Sequence, residues 1–174
     1  MSTDSGEVTI GALLEQGDHG IGTVEHLDGA MMIVDGVAYA ASADGGVRRI
    51  PDETIISSAV VCRFSVLAHS PLHRPLSLRS LRDVLDEMVP TGPSVVAVRL
   101  DGDFADLRLR GVHPRPTASG TVVGFRLPDR AADVDGAGYH LHFLSDDRTH
   151  GGHVLDLSMA RGALLLGSAD ELGA

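Results

Sequence analysis

Three Asp-Gly pairs, Asp28-Gly29, Asp35-Gly36 and Asp44-Gly45, cut the first part of this chain into short apolar runs. Both residue types tolerate positive φ, so each pair reads as a hairpin-type turn. Between the last two lies Val37-Ala38-Tyr39-Ala40-Ala41. Residues 20–50 are therefore expected to form a meander of short strands. Thr9 is placed to cap a short helix, with Ile10, Leu13 and Leu14 on one face and an end near Gly17.

Further along, Ile55 to Leu67 is apolar and rich in β-branched residues and reads as one long central strand. A proline-containing loop, Ser70 to Pro75, follows. Ser77 then caps a helix whose Leu78, Leu81, Leu85 and Met88 share one face at helical spacing, a core stripe that Pro90, Gly92 and Pro93 stop. Strands are expected from Ser94 to Leu100 and from Phe104 to Val112 around a turn at Asp101-Gly102. After a loop at His113–Ser119 come strands at Thr121–Leu127, Tyr139–Leu144, Val154–Leu157 and Ala163–Leu166, with 128–138 as a loop. The fold class is α+β and mostly β: two packed mixed or antiparallel sheet subdomains with few helices. The division is expected at residues 1–92 and 93–174.

Composition narrows the chemistry. With 24 acidic residues against 14 basic ones the net charge is −10. Nucleic acid, whose binding gains most from a basic face, is excluded as a partner, and an anionic membrane is repelled. Every basic residue is arginine. Without lysine there is neither a Schiff-base amine nor an internal pyridoxal phosphate aldimine. A small anionic substrate needs another positive centre, such as a metal or a buried arginine. Cys62 is the single cysteine and lies in the apolar run Ala59-Val60-Val61-Cys62, so it reads as a buried strand residue and forms no intrachain disulfide. The first residues, MSTDSGEVTI, have no basic n-region and no apolar h-region, and no apolar stretch reaches membrane-spanning length, which gives a cytoplasmic expectation.

The strongest constellation lies in Gly138-Tyr139-His140-Leu141-His142-Phe143-Leu144. In a strand, His140 and His142 project to one face, roughly 7 Å apart at Cα, while Tyr139, Leu141 and Phe143 face the other. The turn Ser145-Asp146-Asp147-Arg148 is followed by Gly151-Gly152-His153-Val154-Leu155, and an antiparallel return brings His153 toward the pair. Three histidines on a rigid sheet suit a three-coordinate Zn²⁺ with open positions, although another divalent metal fits the same donors. His150 is the rival third ligand. His19, His26, His69, His73 and His113 are expected near loops, facing solvent.

Several segments together resemble the alpha-acetolactate decarboxylase family: Gly17-Asp18-His19-Gly20-Ile21-Gly22-Thr23, Leu27-Asp28-Gly29, Val98-Arg99-Leu100-Asp101-Gly102, Gly120-Thr121-Val122-Val123-Gly124-Phe125, and above all GYHLHFLSDDRTHGGHVLD at 138–156. The resemblance runs over about residues 8–160. It implies zinc ligands at His140, His142 and His153, a carboxylate-handling catalytic arginine at Arg110 and a substrate-binding threonine at Thr23. It further implies a homodimer and a small keto acid substrate. The implied reaction is decarboxylation of a 2-hydroxy-3-keto acid, acetolactate to acetoin, through a metal-stabilised enediolate.

The sequence departs from that pattern in two places. Where the family has a glutamate directly after Leu-Asp-Gly, this chain has Ala30, which neither gives a proton nor holds a ligand. The family's longer tail brings in a second glutamate, and the spacing of Glu171 does not assign it that part. The chain is also shorter at its N-terminus and between Arg110 and Gly120. Glu25, His26 and Asp28 are the nearby candidates for the missing group. Two alternatives stay open: a zinc enzyme of the same fold acting as isomerase, cyclase or hydro-lyase on a larger metabolite, and a non-catalytic metal- or ligand-binding protein.

Overall fold

The computed structural model describes residues 7–24, 29–88, 95–127 and 138–169. Thr9 caps α1 (Ile10–Gln16) by accepting from the Ala12 amide. The meander follows as β1 (His19–Val24), β2 (Met31–Val34), β3 (Val37–Ala41) and β4 (Val47–Arg49), then β5 (Ile56–Cys62). These form an antiparallel sheet in the order β4-β3-β2-β1-β5. Asp35 and Gly36 both take positive φ at the β2–β3 turn, as that tight reversal requires.

The second sheet holds β6 (Ser65–Pro71), β8 (Val96–Leu109), β9 (Arg115–Arg126), β10 (Tyr139–Ser145) and β11 (Gly151–Ser168), with the two-residue β7 (Leu76–Ser77) on β11. Its order is β10-β9-β8-β11-β6, and β10 also pairs with β11. α2 (Leu78–Met88) covers its outer face. Ser77 Oγ accepts from the Ser80 amide as the expected cap.

Period-two burial sorts the strands into layers. Met31 and Ile33 pack with Ile10 and Leu13 of α1. Their neighbours Met32 and Val34 face inward and meet Val123, Phe125 and Leu144 of the second sheet. On the far side Tyr139, Leu141 and Phe143 pack with Leu78, Leu81 and Leu85 of α2. The order of layers is thus α1, first sheet, second sheet, α2, with His140 and His142 on the face turned toward the first sheet.

Several expectations from the sequence are corrected. The Ile55–Leu67 run is two strands in different sheets. The chain breaks at Arg63-Phe64, where the Phe64 amide donates to Asp18 Oδ1 and the Arg63 guanidinium to the Glu15 carbonyl. Ser70 and Pro71 belong to β6. Asp101-Gly102 is the middle of β8, because β9 and β11 pair across it on both sides. Residues 115–119 extend β9, and 154–168 lie in a single strand. Met88 ends half exposed, one turn beyond the last buried leucine. Cys62 is buried in β5, and desolvation pushes its thiol up to about 11.

His19 does not face solvent. It is 2% exposed, stacks on Phe64 and meets Phe125 edge-on. Its Nε2–H donates to the Gly124 carbonyl at 3.2 Å, tying the sheets together. Beside it Arg99 bridges Asp35 of the first sheet and Asp101 of the second, and Thr121 Oγ1 donates to Asp101. Desolvation holds His19 down at about 4, from 6.5. The native state keeps it neutral while the unfolded chain binds a proton below pH 6.5, so its contribution is complete above pH 6.5 and is lost as pH falls through about 4. Denaturant melts across pH 4–7 should show that loss, of order 3 kcal/mol in total. His19→Gln, which keeps an N–H donor but does not titrate, should remove that part of the slope; an unchanged slope would exclude His19 as its source.

Candidate metal centre

The metal candidates are assembled by strand pairing. β10 and β11 run antiparallel with His142 opposite His153, and His140 follows on the same face by strand alternation. The three imidazoles each offer a nitrogen within 4.8 Å of the others. His140 Nε2 and His142 Nε2 are 3.0 Å apart. Tetrahedral Zn–N bonds imply an edge of roughly 3.3 Å between donors, so the spacing suits such an ion.

Both residues of the Gly-Gly return are needed. A Cβ at Gly151 would lie 2.5 Å from the Phe143 carbonyl oxygen, and Gly152 has φ +153°. From Val154 on, β11 leaves β10 and pairs with β8, Val154 opposite Leu109. The Arg110 amide donates to the His153 carbonyl at 2.9 Å. Closure of the sheet at this point therefore puts Arg110 beside the histidines.

The donor chemistry fits a divalent cation. His142 is fully enclosed, and its Nδ1–H donates to the Met31 carbonyl at 2.7 Å, which leaves the Nε2 lone pair for a ligand. Desolvation holds His142 at about 3 and His153 at about 4, and lowers His140 as well. The positive charge of Arg110 pushes all three the same way. Neutral imidazoles are what a metal binds, so protons compete with it only well below the ordinary histidine range.

These side chains line a cavity of about 330 Å³ between the sheets. His140, His142, His153 and Arg110 form one wall; Gly22, Thr23, Gly29, Ala30, Ala41, Ser42 and Ala43 form the other. Thr23, Arg110 and the three histidines thus share one space, and Ala30 is in its wall. His150 is elsewhere: its Nδ1 bonds to Thr149 Oγ1 at 2.7 Å, and it lines a different surface depression with Asp146 and Asp147. His69, His73 and His113 are exposed. Glu25, His26, Asp28 and Glu171 lie outside the described residues. Sequence reasoning missed the Ala41–Ala43 wall and the Met31 carbonyl. The Asp44-Gly45 signal marked a turn there, but a turn signal does not say what the turn packs against.

Comparison with known proteins places this architecture. The model of the alpha-acetolactate decarboxylase family matches residues 2–117 and 112–173. The chain belongs to that family. It is 34% identical to an alpha-acetolactate decarboxylase of Klebsiella aerogenes over 96% of this chain and 72% of that protein, and 32% identical to one from Streptococcus thermophilus over 96% and 79%. Crystal structures share the fold. Acetolactate decarboxylase from Bacillus subtilis subspecies spizizenii superposes with TM-score 0.82 at 24% identity, covering 94% of this chain and 78% of that one. A Staphylococcus aureus protein of unknown function, similar to alpha-acetolactate decarboxylase, gives TM-score 0.82 at 26% identity over the same shares.

Calorimetric titration of the full chain with zinc chloride should give one ion per chain, with an affinity that falls less between about pH 8 and 6 than ordinary imidazoles would require, because burial favours the neutral form of all three. His142→Ala should abolish that stoichiometric binding and His150→Ala should leave it. The reverse result would reassign the ligand set.

Proposed function

We propose that this chain is a zinc-dependent acetolactate decarboxylase, releasing CO₂ from a 2-hydroxy-3-keto acid to give the hydroxyketone. The observation that carries the reading is a family fold whose cavity is lined by three clustered imidazoles and one arginine.

His140, His142 and His153 would hold the ion. Bound there, it would supply Lewis acidity toward the substrate oxygens as the carboxylate leaves. The residues divide the rest of the task. Arg110 offers a guanidinium of fixed charge to the substrate carboxylate, a pairing that favours two parallel hydrogen bonds. Thr23 offers a hydroxyl from the opposite sheet. The Met31 carbonyl holds His142 in one tautomer and one orientation. Ala30, Ala41 and Ala43 give the facing wall a small apolar lining. A homodimer in the cytoplasm completes the proposal, and sedimentation of the purified chain tests the dimer.

The test is CO₂ and acetoin release from racemic acetolactate, with zinc content quantified. Turnover should vanish with chelator and with His142→Ala, and Arg110→Gln should lower kcat/KM by about 100-fold, the scale of one charge-assisted contact. No release from fully loaded protein would remove the decarboxylase reading.

Ala30 gives a second test. Ala30→Glu should raise kcat by about 100-fold, its carboxylic acid serving as a general acid. Ala30→Gln, of the same size, should not. Equal rates in all three forms would put the proton source elsewhere.

A further inference from the structure

Two turns of the same design, one from each sheet, meet beside the cavity, and the first of them lines it through Ser42 and Ala43. In the β3–β4 turn, Ser42 Oγ donates to Asp44 Oδ1 at 2.6 Å, and the same oxygen accepts from the Gly46 amide at 3.0 Å. In the β10–β11 turn, Ser145 Oγ donates to Asp147 Oδ1 at 2.7 Å, and that oxygen accepts from the Thr149 amide at 3.0 Å. Each is a Ser-x-Asp segment whose carboxylate fixes its own turn.

The two turns are hydrogen-bonded to each other. The Val47 amide donates to the Thr149 carbonyl and the Gly151 amide to the Gly45 carbonyl, both at 3.0 Å, around a bridge between Gly46 and His150. Gly45 (φ +88°) also lies against Val112: a Cβ there would sit 2.8 Å from Val112 Cγ2. A Cβ at Gly111 would lie 3.0 Å from the Ala43 carbonyl oxygen. One turn of the first sheet therefore touches the hairpin that carries His142 and His153, and the segment that follows Arg110. Ser42 and Ala43 of the same turn line the cavity.

We propose that these paired Ser-x-Asp turns are a clamp that sets the distance between the cavity wall, the histidine hairpin and Arg110, with Asp44 and Asp147 as its positioning residues. The kinetic part of the proposal rests on the decarboxylase reading above. Neither carboxylate lines the cavity. Each acts by holding a loop, and loosening it lets the walls drift while the histidines stay paired by β9 and β11. Asparagine keeps the accepting oxygen, so it should keep the clamp; alanine removes it.

The experiment compares Asp44→Ala, Asp147→Ala, both together, and each asparagine variant, all as the full chain loaded with zinc. Amide hydrogen exchange at Val47 and Gly151 should speed up at least tenfold in the alanine variants and stay near wild type in the asparagine ones. With full zinc content, kcat/KM on acetolactate should fall about tenfold for either alanine variant, since small misplacements of a bound substrate are costly. The double variant should be little worse than a single one, as expected of one shared device. Unchanged kinetics alongside faster exchange would overturn the positioning claim. So would a loss that follows zinc content or Tm and is not rescued by asparagine. If the wild type itself does not decarboxylate acetolactate, the functional reading fails alone: exchange and zinc titration still decide the clamp, and unchanged exchange in the alanine variants overturns it.

Discussion

The change of partner along β11 is the constraint on which the site depends. Its first residues pair with β10, placing His153 opposite His142. From Val154 it pairs with β8, whose last residue Leu109 precedes Arg110. Had the strand continued along β10, Arg110 would have no route to the histidines. The switch needs a hairpin return without side chains, supplied by Gly151 and Gly152, and it leaves register shifts further along β11 where the strand bends. Sheet closure thus converts three separate sequence positions into one group.

The second requirement is a lid for that group, and the first sheet supplies it. The contact between sheets is mainly apolar, through Met32, Val34, Val123, Phe125 and Leu144. A few polar ties give it register: His19 to Gly124, Arg99 to Asp35, and His142 to Met31. Nondirectional burial brings two sheets together, but hydrogen bonds with defined geometry set where along each other they rest. The last of these ties involves a metal candidate, so the orientation of His142 and the placement of β2 at Met31 are one fact. Arg99 is also exposed enough on its Asp35 side that its value lies in register more than in stability.

Legibility in the sequence followed the range of the interactions. Local patterns were readable: the Thr9 and Ser77 caps, the Asp35-Gly36 turn, the buried stripe of α2, and the shared face of His140 and His142. The glycine-led return brought His153 toward that pair, and the resemblance to relatives carried Arg110 and Thr23, which spacing alone did not unite with it. Errors came where a distant partner overrode a local signal. Asp101-Gly102 looks like a turn, yet strands on both sides hold it extended. His19 looks like a surface residue beside Asp18, yet Phe64 and Phe125 close over it. Ile55–Leu67 looks continuous, yet the Asp18 carboxylate and the Glu15 carbonyl catch its midpoint and redirect it.

By itself, the sequence determined a mostly β chain without lysine chemistry, two histidines on one strand face and a glycine-led return carrying a third. Those follow from residue type and from periods of two and 3.6, which act within a few positions. Only the tertiary structure decided that Arg110 lies beside the histidines, that the opposite wall is Thr23, Ala30 and Ala41–Ala43, and that His150 is outside. Which strand pairs with which, and which sheet covers which face, is settled by burial summed over the whole chain, and no short stretch of residues encodes that sum.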